Sequence, residues 1–463
     1  MKRQSLFLHI RKEETMMDTN NNLMTIGPIW KKITLFAMPI FLGNLFQQLY
    51  NVVDSLVVGN FVGRDALAAV SSSGSLIFLL VGLFGGIFVG AGVVISRYFG
   101  ARDLEKVEVA IHTTIAFGIV AGIVLTILGV GLSPSILRMM GTPESVLPNS
   151  ILYLRIYFSG ILSVVMYNTA SGIFQAVGDS RHPLYYLIVS SIINIVLDLI
   201  FVAVFHWGVA GAGLATVFSQ TVSAVLGFYQ LSHRVTEYQV HFKKIHFNLP
   251  MLKQVLKMGI PSGLQNSIIA FANIVVQSNI NTFGAMAVAG CGAYSKIEGF
   301  GFLPITSFAL ALTTFIGQNL GAKEYTRAKR GARFGILICI VLAELVGLLI
   351  YLLAPIFISA FNSDPEVIGF GSLQAHTVTL FYFLLAFSHC IAGILRGAGK
   401  SIVPMFVMLV CWCIIRVSYV TIITNIIPHI QVIFWAYPLT WTLSSIVFII
   451  YYLKADWVHG YEK

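Results

Sequence analysis

Long apolar stretches follow one another through nearly the whole of this chain. They run at about 33–60, 66–96, 109–132, 149–177, 183–205, 209–232, 251–282, 287–316, 332–357, 367–395, 402–427 and 431–453. Each reaches the roughly 20 residues that an α-helix needs to cross the hydrocarbon core of a bilayer. In lipid every backbone N–H and C=O must be satisfied within the protein, so only helices and closed barrels span it. A barrel would show short alternating segments. Unbroken runs instead predict an all-α membrane protein of 12 transmembrane helices. Composition agrees: 10% of the 463 residues are charged, against about 25% in an ordinary soluble domain. That is too little charge to face water, and a soluble globular enzyme is excluded.

The net charge of +10 could suggest a nucleic-acid partner until the basic residues are placed. Of the 29 Lys and Arg, 24 fall on the side of the N-terminus, at both tails and in alternate connections. Arg64 and Arg138 fall on the other side, and Arg155, Lys296 and Arg416 lie within spanning segments. Positive charge collects on the cytoplasmic side, so both termini are expected inside, with the bilayer as the partner and no nucleic acid. The start, MKRQSLFLHIRKEE, has an apolar stretch too short for a cleavable signal and is read as part of a cytoplasmic tail. The five cysteines (Cys291, Cys339, Cys390, Cys411, Cys413) all sit in apolar runs, which implies small core residues and no disulfide framework.

The chain also repeats itself. ISRYFGARDLEK (Ile95 to Lys106) corresponds to IGQNLGAKEYTR (Ile316 to Arg327) at an offset of 221 residues, and the same offset lays GIFQAVGDSRHP (from Gly172) on GILRGAGKSIVP (from Gly393). Two independent matches at one offset indicate two copies of a six-helix unit. Because six is even, both copies enter the membrane in the same sense, and such parallel repeats place a substrate path between their lobes. The expected organisation is a cytoplasmic tail at 1–32, an N-lobe at 33–232, a basic cytoplasmic linker at 233–250, a C-lobe at 251–453 and a tail at 454–463.

Charge inside a membrane is expensive and marks function by default. Four acids fall within the segments: Asp54, Asp198, Glu298 and Glu344. Gln47, Asn51 and Asp54 are spaced by four and three, which aligns them on one helical face, expected to point into the lobe. Asn194 and Asp198 are likewise one turn apart, and Asn168 and Thr216 add an amide and a hydroxyl at comparable depth. Two carboxylates with amide and hydroxyl oxygens suit a hard cation such as Na+. Two such acids in low dielectric also cannot both ionise cheaply, so the pair can carry a proton. The residues fit either ion. Glu298 is a candidate to meet cationic substrate, or to pair with Arg416 or Lys296; Glu344, His376 and His389 read as structural. Pro39 and Pro261, equivalent in the two copies to within one residue, break helix hydrogen bonds and permit bending. No GxxxxGKS loop is present, so ATP drive is not expected, and no HExxH or Cys/His cluster indicates a metalloenzyme.

These residues resemble the multidrug and toxic compound extrusion (MATE) transporters. The resemblance rests on the doubled unit, on the first-segment stretch MPIFLGNLFQQLYNVVDSLVVGNFVG and on the GARD and GAKE turns, and it covers nearly all of residues 30 to 453. It implies two six-helix lobes forming a V-shaped cleft, and a monomeric antiporter in the bacterial inner membrane with no cofactor. A Na+ or H+ gradient would drive export of amphipathic, often cationic drugs. In the bacterial branch with its cation site in the N-terminal lobe, the essential positions correspond to Asp54, Asp198, Asn168, Asn194 and Thr216. A second branch carries acids in helices 7 and 10, where this chain has none: its seventh segment offers Gln265, Asn266, Asn273 and Gln277. The equivalents of Asp54 and Asp198 are Val275 and Tyr419, so the acid pair is not duplicated, and Arg416 puts positive charge near the second of these. Gln47, Asn51, Glu298, Gln265 and Arg416 are expected to line the cleft. Two rival readings are a lipid-linked saccharide flippase of the same superfamily and a polytopic membrane enzyme. The first would favour basic residues along the cleft, the second polar clusters at a membrane face.

Overall fold

The computed structural model describes residues 23–140, 142–233 and 236–459; the tail residues 1–22 and 460–463 and Arg234 lie outside them, as does the side chain of Arg64. The helices are α1 (Ile29–Phe61), α2 (Arg64–Gly100), α3 (Leu104–Met139), α4 (Leu147–Ser159), α5 (Ile161–Ala176), α6 (Arg181–Asp198), α7 (Gly208–His233), α8 (Leu249–Asn281), α9 (Ala285–Gly321) and α10 (Tyr325–Ser359). They continue with α11 (Pro365–Val378), α12 (Tyr382–Gly397), α13 (Ile402–Met408), α14 (Arg416–Ile426) and α15 (Ile430–Lys454). No strand occurs among the described residues. Among the described residues, eleven stretches are long and apolar enough to cross a membrane, and a twelfth follows if α4 and α5, bent by 48°, form one span.

The helices are amphipathic in the sense lipid demands, with large residues outward and small ones inward. On α10 the exposed set is Leu337, Val341, Leu345, Leu348, Leu352 and Ile356, spaced by three or four residues. Its buried face holds Gly331, Gly335, Cys339, Ala343 and Gly347. Lipid tails are as apolar as leucine, so association comes from close packing between small residues. Backbone comes closest to backbone where α2 meets α8: a Cβ added at Gly90 would lie 2.3 Å from Gly259 Cα.

The repeat read from the sequence recurs in the backbone at the same offset. Gly63 and Gly284, each preceding a long helix, have φ of 113° and 94°; Gly178 and Gly399 have 89° and 75°. Arg102 and Lys323, in the GARD and GAKE turns, have φ of 59° and 60°. Left-handed backbone at two equivalent non-glycine residues is the signature of one turn built twice. The symmetry fails in the fifth crossing of each copy. There α6 runs on into π-helical turns at Leu199–Val204, whereas its counterpart is π-helical at Leu409–Ile415, between α13 and α14. Asp198 immediately precedes the first π segment and Arg416 immediately follows the second.

The chain divides into two compact units, and their boundaries fall inside helices. One comprises Leu42–Ile260, the other Gly27–Phe41 with Pro261–Lys463. The unit order thus differs from the segment order at 33–232 and 251–453: the first turns of α1 and of α8 are exchanged. Each crossing lies within three residues of a proline, Pro39 or Pro261, where the backbone lacks a hydrogen bond. The linker joins the first unit. Arg102 pairs with Glu237 at 2.8 Å and Lys244 with Glu108 at 2.7 Å. His112 Nδ1 lies 2.8 Å from the Glu108 carbonyl, and its Nε2 accepts the His241 N–H at 3.0 Å.

Candidate cation site

Asp54 and Asp198 meet inside the first unit because α1 and α6 pack in step. Gly43 of α1 leaves room for Leu187 of α6, whose Cδ2 would stand 3.4 Å from an added Cβ. Eleven residues further along each helix, very close to three turns, come Asp54 and Asp198. Their carboxyl groups are close enough to interact with each other, and the two residues are 8% and 0% exposed. Asn194, one turn before Asp198, is 1% exposed. An apolar cluster flanks the pair along both helices, with Val57 and Val58 from α1, Val202 from the π segment, Val209 and Ala212 from α7 and Tyr153 from α4.

Among the described residues, Asp54 Oδ1, both oxygens of Asp198 and both polar atoms of Asn194 lack a protein hydrogen-bond partner. A buried group left in this way costs about 1–3 kcal/mol. Such a cluster is poor structural glue and a good receptor for a positive ion. Its oxygens are the hard donors that Na+ takes, and two facing carboxylates also suit a shared proton. No group of three or more His, Cys, Asp or Glu that could hold a metal ion occurs among the described residues, so the pair stands with amide and hydroxyl oxygens alone.

The other sequence candidates separate. Thr216 is buried on α7, its hydroxyl hydrogen given to Ala212 O at 3.1 Å, and Asn168 gives its amide to Val164 O at 2.9 Å. Each keeps its oxygen lone pairs. Gln47 and Asn51 share the azimuth of Asp54 but are exposed, which corrects the expectation that this whole face points inward. A helix face is buried only where a neighbour covers it, and the covering cluster begins at Val53. Gln265 is buried in the second unit, where Arg396 Nη1 reaches its Oε1 at 3.4 Å. Glu298 and Arg416 also lie in the second unit, away from Lys296, which is exposed. Glu344 accepts the Phe383 N–H at 3.1 Å, beside the 3₁₀ turn Thr379–Phe381. His376 bonds Tyr351 O at 3.0 Å.

Two residues escaped the sequence reading. Tyr50 lies near Gln47, Gln220 on α7 and both acids. Tyr153 is similarly close to both acids and is buried. Tyr50 sits one turn before Asp54, a spacing that could have marked it; nothing local marks Tyr153.

A doubled helical unit with acids buried in one copy defines a two-repeat, multi-pass cell membrane protein. The family model MatE matches residues 39–200 and again 261–422, at the repeat offset to within one residue. These blocks make up more than half of the chain, which therefore belongs to the MatE family, the one its residues resemble. It is 28% identical over 440 residues to the probable multidrug resistance protein YpnP of Bacillus subtilis (strain 168), covering 94% of this chain and 97% of that one. It is 26% identical over 396 residues to the probable multidrug resistance protein NorM of Thermotoga maritima, covering 82% and 83%. A multidrug resistance MATE family transporter of the MOP superfamily, solved in an outward-facing conformation, shares the fold at TM-score 0.88 and 24% identity, covering 95% of this chain and 98% of that one.

Proposed function

We propose that the chain is a secondary multidrug efflux antiporter that exports amphipathic and cationic compounds in exchange for H+ or Na+. The observation that carries this reading is the Asp54–Asp198 pair, buried with Asn194 and without other protein partners. The ion enters as co-substrate. Asp54, Asp198, Asn194 and Thr216 supply its oxygens, and Asn168 supports them. No resident cofactor and no ATP take part, and a monomer is the working unit. Both termini face the cytoplasm, in line with the distribution of basic residues.

The mechanism is alternating access driven by differential binding. An ion shifts a conformational equilibrium only by as much as it binds one state better. Neutralising the pair removes repulsion between α1 and α6, which repacks α1 around Asp54. Coupling is reciprocal, so bound drug must weaken ion binding by the factor that ion weakens drug.

Counterflow in proteoliposomes tests this, with Asp54→Asn and Asp198→Asn and with Na+ and pH gradients imposed separately. Each variant is expected to retain ethidium binding and to lose at least 90% of uphill export. Normal uphill export by both variants would overturn the site. Wild-type export that persists without Na+ identifies H+.

A further inference from the structure

Basic residues at one end of the first unit fall into two groups. Arg102, Lys106 and Lys244 are each matched to an acid, at 2.8 Å to Glu237, 2.7 Å to Asp103 and 2.7 Å to Glu108. Lys243, Lys253 and Lys257 are exposed, and among the described residues their side chains have no ion-pair or hydrogen-bond partner. The unmatched lysines are interleaved with large apolar side chains that are also uncovered: Phe242 is 58% exposed, Phe247 43% and Leu249 71%. All six fall within the first compact unit.

Local structure holds this surface in place. The 3₁₀ turn Phe242–Lys244 is tied down by the Lys244–Glu108 pair and by His112, whose Nε2 accepts the His241 N–H at 3.0 Å. Asn248 gives its backbone N–H to Thr113 Oγ1 at 3.3 Å and caps α8 by accepting the Met251 N–H on its side chain at 3.0 Å. In the first turns of α8, Met251 and Val255 are buried in one cluster with residues of α2. Leu249, Lys253 and Lys257, spaced by four, share a face that nothing covers. The segment runs from the end of α7 to the start of α8 and packs on the start of α3, so it sits where spanning helices leave the bilayer.

Rings and aliphatic chains exposed beside unpaired ammonium groups suit neither bulk water nor the hydrocarbon interior. They suit the interface between the two, where apolar side chains enter the acyl boundary and long lysine stems lift their charge to the phosphates. We propose that the segment 242–257 is a docking surface for anionic phospholipids: Lys243, Lys253 and Lys257 take the headgroup phosphates, and Phe242, Phe247 and Leu249 enter the acyl boundary. Arg102, Lys106 and Lys244 take no part, because an acid already neutralises each. Bound lipid then pins the connection between the two copies to the membrane surface beside the first unit.

The test titrates delipidated full-length protein in detergent with dioleoylphosphatidylglycerol or dioleoylphosphatidylcholine and counts bound lipid by native mass spectrometry. Wild type is expected to bind the glycerol lipid more tightly, and no preference would overturn the site. Each of Lys243→Gln, Lys253→Gln and Lys257→Gln should weaken the glycerol lipid about fivefold, the worth of one lysine near an anionic surface, and leave the choline lipid unchanged. Lys106→Gln should stay within about twofold of wild type, as the loss of a lysine already paired at the surface should. Equal losses in Lys106→Gln and Lys253→Gln would overturn the site, since general positive charge responds in that way and a defined patch does not. A second measurement needs no variant to fold: in nanodiscs, hydrogen exchange of residues 242–249 should be slower with phosphatidylglycerol present than in phosphatidylcholine alone. Equal exchange in the two bilayers would count against the docking and overturn it. Tighter binding of polyglutamate than of phosphatidylglycerol would make the patch a surface for acidic protein and overturn the lipid assignment.

Discussion

Asp54 and Asp198 were legible as residues because lipid tolerates a buried acid only for a reason, and because their spacing from Asn51 and Asn194 put polar atoms on common faces. Their tyrosine neighbours were not legible, since a tyrosine in an apolar run looks like packing. Tyr50→Phe keeps the ring and removes the hydroxyl near Gln47 and Gln220. It is expected to slow ion-driven export several-fold in the counterflow assay while changing stability by about 1 kcal/mol or less, the net worth of one hydrogen bond. Outside the spans, Asp103 caps α3: it accepts the Lys106 N–H at 3.2 Å and pairs with Lys106 Nζ at 2.7 Å. Lys106 holds its carboxyl below the ordinary carboxylate range. A depressed value means that the stabilisation is complete at neutral pH and is lost as pH falls through the lowered value. Asp103→Ala should cost about 1 kcal/mol at neutral pH and progressively less in acid, read as melting temperature against pH in detergent.

The spanning elements were readable to within about seven residues at their ends, because apolar length and small-residue spacing are properties of each segment alone. Their irregularities were not. At the bend, Gly160 packs so closely on Val217 of α7 that an added Cβ would stand 2.3 Å from Val217 Cγ1, and no sequence window shows that neighbour. The same reasoning separates glycines that look alike. Gly90→Ala drives a methyl into the backbone of Gly259, whereas Gly85→Ala meets nothing within 4 Å. Overpacking of this kind costs about 1–3 kcal/mol. Gly90→Ala should therefore lower the melting temperature or the yield of folded protein, and Gly85→Ala should leave both unchanged.

For the molecule as a whole, the repeat was visible as two matched motifs, yet the compact units do not coincide with the two copies. Met251 and Val255, the start of α8, are buried with Val94, Ile95 and Phe99 of α2, and the linker residues Tyr238 and Val240 join the same cluster. A fragment of residues 1–260 should consequently resist protease in detergent far better than one of residues 1–233, although both contain six complete spanning segments. Equal resistance would mean that the linker and the first turns of α8 contribute nothing to the first unit. By itself the sequence determined the solvent, the number of spans to within one, the duplication and the identity of the buried acids, since each follows from local hydrophobicity and spacing. Tertiary structure alone decided that Asp54 meets Asp198 and that Gln47 and Asn51 stay exposed. Those outcomes depend on which helix covers which face, and that is set by contacts between residues more than a hundred positions apart.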